Sequence, residues 1–301
     1  MLTTEELDIL GLCAETRFTG KASNVSQALR AIRDDVEQGK SEEIAAGTEE
    51  HDAQCRIIVA SNRAARERAY ALAYRVYRRS GYATEGDRGL CVSPFDACAQ
   101  TLTLLAQDSA GNDHATISLV FDSAEGLPCD EIYRPEVDAL RARGCQLAEV
   151  TRLAIEQTGA EAKSLLLQLF NQCYIFARIV RNASDLVVEV NPAHVKYYQR
   201  LLHFQQSGPE RPCSRVQGAP AVLLRLNLPE IEAAVKGTGC TKGRDLNGRR
   251  LHPFPYSRLE EESIARSLAS QHRPMSAEDA RYFRLQRPEP MLRTVFAAAG
   301  N

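Results

Sequence analysis

No apolar run in the 301-residue chain approaches the ~20 residues that a membrane-crossing helix needs. There is no Cys-x-x-Cys pair and no Cys/His cluster at zinc spacing, so nothing in the sequence calls for a metal centre. There is no Gly-x-Ser-x-Gly elbow and no His-Glu-x-x-His motif, which removes serine-hydrolase and metalloprotease chemistry. Net charge is small: 37 Lys+Arg against 39 Asp+Glu leave −2, which speaks against a protein held by bulk charge on nucleic acid or an anionic membrane. Internal repeats and low-complexity tracts are absent. The start, MLTTEELDIL, has acids where a signal peptide has bases and an apolar core. The 9 cysteines are odd in number and scattered, so free, mostly buried thiols in a reducing cytoplasm are expected.

What is present is ordinary for a folded soluble protein: 44% hydrophobic and 25% charged residues. Three stretches are expected: a helical extension over 1–53, a core domain over 54–229 and an appendage over 230–301. In the first, Asn24 is placed to cap a helix over 25–38, followed by an acid-rich linker. In the second, β-branched runs alternate with 3.6-period segments. Strands are predicted over 56–60, 101–106, 115–121, 146–155, 186–190 and 221–226. Helices are predicted from Asn62 to about Ser80, over 136–143, over 162–180 and over 193–204. A hairpin followed by β-α-β units makes a mixed sheet covered by helices. After Pro229 a turn-rich stretch precedes two short helical patterns, about 258–270 and 276–286.

The strand over 146–155, QLAEVTRLAI, is the most informative segment. A central strand should be nearly all apolar, yet Glu149, Thr151 and Arg152 interrupt it. Buried ionised groups are costly, so these residues either pair with each other structurally or face a cavity. Residues i and i+3 of a regular strand point to opposite faces, and a bulge would bring Glu149 and Arg152 to one side. The stretch LVVEVNPAHVKYYQRLLHF comes next in interest. Asn191 and Pro192 suit a helix start, and Tyr197 and Tyr198 point about 100° apart, so one of them at most faces any given site. Arg68, Arg75 and Arg79 share a face of the first long helix, either as a docking patch or as a solvated surface. Tyr70, Tyr74 and Tyr77 form a second stripe, suited to core packing or to a tunnel wall.

This order of elements, with Glu149-Val150-Thr151-Arg152 on one strand and Asn191-Pro192-Ala193-His194, Tyr197-Tyr198 and Phe204 after the next, resembles the GNAT N-acetyltransferase fold. Within it, the chain resembles the branch of N-acyl amino acid synthases and acyl-homoserine lactone synthases. That branch has a Glu-x-x-Arg strand, an Arg/aromatic first helix (here Tyr74-Arg75-Val76-Tyr77) and an acid before the second strand (here Phe95-Asp96). The resemblance spans about residues 55–228 and implies a mostly antiparallel sheet. The chain lacks the Trp and third-strand Arg of the lactone synthases, which favours the amino acid synthase side. His203 stands where acetyltransferases often have Gly before the aromatic.

The resemblance implies a fatty N-acyltransferase acting on the amine of an amino acid or similar small molecule. Glu149 is then the general base and Tyr198 the acid for the departing thiolate, with Tyr197 as substitute. Arg152 holds Glu149 or binds the acceptor's carboxylate. Backbone N–H groups around Leu153–Ile155 meet the oxyanion. Asp96, Arg75, Tyr77, Thr151 and Asn191 complete the expected substrate contacts. The acyl chain is expected between the splayed strands 146–155 and 186–190, against the helix over 162–180. No metal or redox cofactor is implied. Coenzyme A users open the following helix with a glycine-rich loop whose N–H groups hold pyrophosphate. Here that stretch reads Glu156-Gln157-Thr158-Gly159-Ala160-Glu161, with two acids. The expected donor is therefore an acyl-phosphopantetheine thioester on acyl carrier protein. The alternatives are an acyl-CoA donor, or a non-catalytic binding protein on the same fold.

Overall fold

A computed structural model of the protein describes residues 55–83, 88–157, 159–237 and 256–291. The helix expected over 25–38, the linker after it and the turn-rich stretch up to 255 lie outside the described residues. The first elements follow the sequence signals. Strand β1 (Arg56–Val59) leads to Asn62, whose side chain accepts the Ala65 N–H at 2.9 Å and starts helix α1 (Arg63–Arg79). Ala65, Ala69, Leu72, Ala73 and Val76 bury one face of α1, while Arg75, Arg78 and Arg79 stay exposed. Gly81, at φ 74°, turns the chain out of the helix.

The remaining strands are β2 (Leu102–Gln107), β3 (Asp113–Phe121), β4 (Leu147–Ile155), β5 (Asp185–Val190), β6 (Gln205–Gln206), β7 (Arg211–Cys213) and β8 (Ala219–Asn227). They form one open sheet in the order β1-β2-β3-β4-β5-β8-β6, with β7 also on β8. Every pairing is antiparallel except β4 with β5. The mixed, mostly antiparallel sheet expected of a GNAT-like fold is thus observed.

Helices cover both faces. On one lie α1 and α2 (Asp130–Ala142), the latter starting earlier than the helix expected over 136–143. Leu105 and Ala154 face α1, and Val120, Leu147, Val187 and Leu223 face α2. On the other face lies α3 (Gly159–Ile175), whose Leu166, Leu169, Phe170 and Cys173 meet Leu119, Val150, Val188 and Leu224. The helix expected to run unbroken to Val180 changes to a π turn over Phe176–Val180. The segment after β5 begins with a 3₁₀ turn, Pro192–His194, and then becomes α4 (Val195–Leu202). His203 closes α4 at φ 59°, a left-handed position that favours glycine.

Residues 256–291 pack onto this domain. Helix α5 (Leu228–Gly237) follows β8, and Leu268 of α6 (Arg258–Gln271) joins the α3 side of the core. Near α7 (Ala277–Tyr282), Phe283 meets the Tyr70 ring edge-on at 5.3 Å, and Asp279 accepts from Arg63 at 2.7 Å. All seven cysteines among the described residues are free; Cys98, Cys129, Cys173 and Cys213 are buried, while Cys55, Cys91 and Cys145 are half-buried.

Candidate active site

Strands β4 and β5 pair in parallel only from Leu147–Asp185 to Val150–Val188, and then part. Beyond that point β4 is bonded, among the described residues, to β3 alone, which leaves its other edge open to a ligand. The bulge expected between Glu149 and Arg152 falls at Arg152 itself. Ser118 opposes Thr151 and Thr116 opposes Ala154, so Ile117 faces two residues, and Arg152 takes φ 51°. The bulge puts Arg152 on the same face as Glu149, where it reaches Ser118. A cavity of about 370 Å³ fills the gap between the parted strands. Its walls include Glu149, Thr151, Leu153, Glu189, Tyr198 and Arg215.

Glu149 is 1% exposed. Its Oε2 accepts the Cys129 N–H at 2.7 Å, at the start of α2. Burial first, and the nearby Glu189 carboxylate second, push the Glu149 carboxyl well above the usual carboxylate range, while Arg215 and the Cys129 contacts pull it back. A carboxylate with raised proton affinity, lining a cavity, is suited to accept a proton from an ammonium.

Arg152 does not hold Glu149. Its two terminal nitrogens pair with the two oxygens of Asp96, Nη2 also donates to Ser118 Oγ at 3.0 Å, and the guanidinium lies 5.2 Å from the Tyr70 ring centre. The structural Glu149–Arg152 pair is replaced by a buried Asp96–Arg152 pair. Its geometry explains why: a left-handed residue at a bulge swings its side chain toward α1 and the turn that carries Asp96. Asp96 therefore does not line the cavity. Arg152 keeps only Nε without a partner among the described residues, so it lacks the open fork that an acceptor carboxylate needs.

Of the other expected residues, Tyr77, Thr151, Leu153, Asn191 and Tyr198 line the cavity. Asn191 also caps the 3₁₀ turn, accepting from the Ala193 N–H at 3.0 Å. Tyr198 lies edge-on to Phe170 at 5.7 Å and Phe204 at 5.6 Å, and burial pushes its hydroxyl pKa up. Tyr197 is not a lining residue; the rotation of α4 turns it onto the packed core. Ile155 is fully buried opposite Ala115, which confines the oxyanion-facing backbone to the stretch before it. Arg75 is exposed and bound to Glu156, with Nε–Oε1 at 3.0 Å. Arg79 joins the same carboxylate at 3.2 Å, and Arg68 pairs with Asp113, so the basic face of α1 is partly neutralised. Among the described residues the cavity borders α1, through Val76 and Tyr77, and not α3 as expected. Phe170 of α3 packs behind Tyr198.

Glu189 and Arg215, a charged pair in the lining, escaped the sequence reading. Glu189 interrupts an apolar strand just as Glu149 does, and that signal was available. Its Oε2 pairs with Arg215, and its Oε1 is buried without a partner among the described residues. Arg215 sits in the turn after β7 and also meets Glu131 at 3.1 Å, a placement no local pattern announces.

The fold resembles the structure of FeeM, an N-acyl amino acid synthase from uncultured soil microbes, at TM-score 0.54 and 24% identity, over 62% of this chain and 98% of that one. The AHL synthase LasI aligns at 0.45 and 14% identity over 58% and 91%, and the CoA-dependent acyl-homoserine lactone synthase BjaI at 0.42 and 14% over 76% and 98%. No curated protein matches by sequence. No helix among the described residues is long and apolar enough to cross a membrane. The family model of the N-acyl amino acid synthase FeeM matches residues 68–227, a span that holds Asp96, Glu149, Arg152, Glu189, Tyr198 and Arg215, and the chain belongs to this family of N-acyltransferases.

Proposed function

We propose that this enzyme moves a fatty acyl group from the phosphopantetheine arm of acyl carrier protein to the amine of an amino acid, in the cavity between β4 and β5. The observation that carries the reading is a buried carboxylate of raised proton affinity, Glu149, on the wall of a largely apolar chamber. The acceptor arrives as an ammonium. Glu149 takes its proton, and the free amine attacks the thioester carbonyl. The oxyanion lies against the unpaired edge of β4 at Thr151–Leu153. As the C–S bond breaks, the thiolate takes a proton from Tyr198, whose raised pKa keeps it protonated at neutral pH, and the second proton shed by the attacking nitrogen returns to the Tyr198 oxygen. The acyl chain runs along Val76, Tyr77, Val188 and Val190. The catalytic unit spans 54–229.

The carrier-protein donor is favoured by the start of α3. Glu156 lies just before it and occupies Arg75 and Arg79, so an incoming pyrophosphate meets a carboxylate and two arginines already engaged. The test is direct. Acyl carrier protein and coenzyme A carrying the same acyl chain are offered with a pool of amino acids, and products are read by mass spectrometry. N-acyl amino acids from the carrier protein support the donor assignment, and products from coenzyme A alone overturn it.

A further inference from the structure

The Glu189–Arg215 pair has no part in the steps above, yet both side chains line the cavity beside Glu149. Each has an unused hydrogen-bonding atom. Glu189 spends Oε2 on Arg215, and its Oε1, which can only accept, is buried without a partner among the described residues. Arg215 uses Nη2 on Glu189 and Nε on Glu131, and its Nη1 donates to no group among the described residues. The side chain of Glu189 is only 11% exposed. A buried, half-satisfied carboxylate is costly unless a ligand completes it.

The complement of an unused carboxylate oxygen next to an unused guanidinium donor is a molecule with an ammonium and a carboxylate on one carbon. We propose that Glu189 and Arg215 form the acceptor site, with Glu189 Oε1 taking the ammonium and Arg215 Nη1 the carboxylate of an α-amino acid. This rests on the transferase reading and deepens it. It assigns to Arg215 the carboxylate recognition that Arg152, spent on Asp96, cannot give. Charge supports it as well. Asp96 is paired with Arg152, and Arg215 is shared by Glu189 and Glu131, so Glu149, once it has lost its proton, has no cation paired with it among the described residues. An ammonium held between Glu149 and Glu189 balances that charge and stands next to the base that deprotonates it. In the step itself one proton passes from the ammonium to Glu149, while Glu189 stays ionised against Arg215.

The test uses the full-length protein with the acyl donor that gives turnover. The acceptors are the amino acid it acylates best and the amine lacking only that amino acid's carboxylate. Wild type should favour the amino acid by kcat/KM, and Arg215→Gln should shrink that preference by about tenfold or more. Glu189→Gln should raise KM for both acceptors by a similar factor, about tenfold. If Arg215→Gln fails to fold in a thermal melt, Arg215→Lys, which keeps the charge beside Glu189 and loses the fork, takes the same readout. An unchanged preference in the folded Arg215 variant, or an unchanged KM in Glu189→Gln, overturns the site. Calorimetric titration of the amino acids into donor-free protein separates this from the transferase reading. Binding that both variants lose, with no product from any donor, keeps the site and removes the transferase. If wild type binds no amino acid and does not prefer one to its amine, the site is wrong even when amines are acylated.

Discussion

Arg152 places its buried charge against Asp96, 56 residues away in the chain, and not against Glu149 on its own strand. The consequence is a division of labour on one face of the sheet. One acid neutralises the arginine, and the other keeps a lone pair for chemistry.

Asp96→Asn should destabilise the protein strongly. It leaves the Arg152 guanidinium buried without a counter-charge, a change that costs about 3–5 kcal/mol. Urea unfolding of the variant measures it. A loss under about 1 kcal/mol would mean that water reaches Arg152 and that the pair is not a structural tie.

Glu149→Gln should have the opposite sign. Because the folded protein raises the Glu149 pKa above its ordinary 4.5, the folded state holds a proton that the unfolded state releases. Wild-type stability from this group is therefore full below the unfolded pKa and falls as pH rises toward the folded one. The neutral glutamine still accepts the Cys129 N–H and escapes that loss. Unfolding free energies measured from pH 5 to pH 8 should show the variant gaining on wild type as pH rises; a constant gap would show that Glu149 titrates normally.

Tyr198→Phe tests the acid. The ring contacts with Phe170 and Phe204 survive, so melting should barely move. If the hydroxyl protonates the thiolate, kcat falls by about 10²-fold or more with little change in KM. An unaltered kcat would leave the tyrosine as packing.

Much of this was legible in the sequence where local physics decides. Asn62 and Asn191 announced their caps, and the apolar spacing of α3 announced its buried face. The two charges in QLAEVTRLAI announced a site, and the need to bring them to one side announced a bulge. Legibility ended where partners come from distant segments. Asp96 meets Arg152 through a turn whose docking no periodicity encodes. Arg215 reaches Glu189 from the loop after β7. Arg75 was expected as a substrate contact from its match to the Arg/aromatic first helix of the family, yet one residue of helical rotation from Tyr74, about 100°, points it at Glu156 outside. Glu189 is different: the reasoning that singled out Glu149 applied to it equally.

The segment 256–291 also bears on the site. Phe283 is 3% exposed and packs on Tyr70, which in turn faces Arg152. Phe283→Ala should cost about 3–5 kcal/mol through the cavity it leaves. The loss is measured by urea unfolding, and a near-neutral result would show that 256–291 only rests on the domain.

The account stands most directly on Glu149 as the base in the chamber between β4 and β5. The measurement is the rate of N-acyl amino acid formation by folded wild type and Glu149→Gln, with acyl carrier protein as donor, across pH. Wild type should gain rate with pH as Glu149 loses its proton, and the variant should fall about 10²–10⁴-fold and lose that pH limb. Turnover by Glu149→Gln within a few-fold of wild type, with the same pH profile, would contradict it.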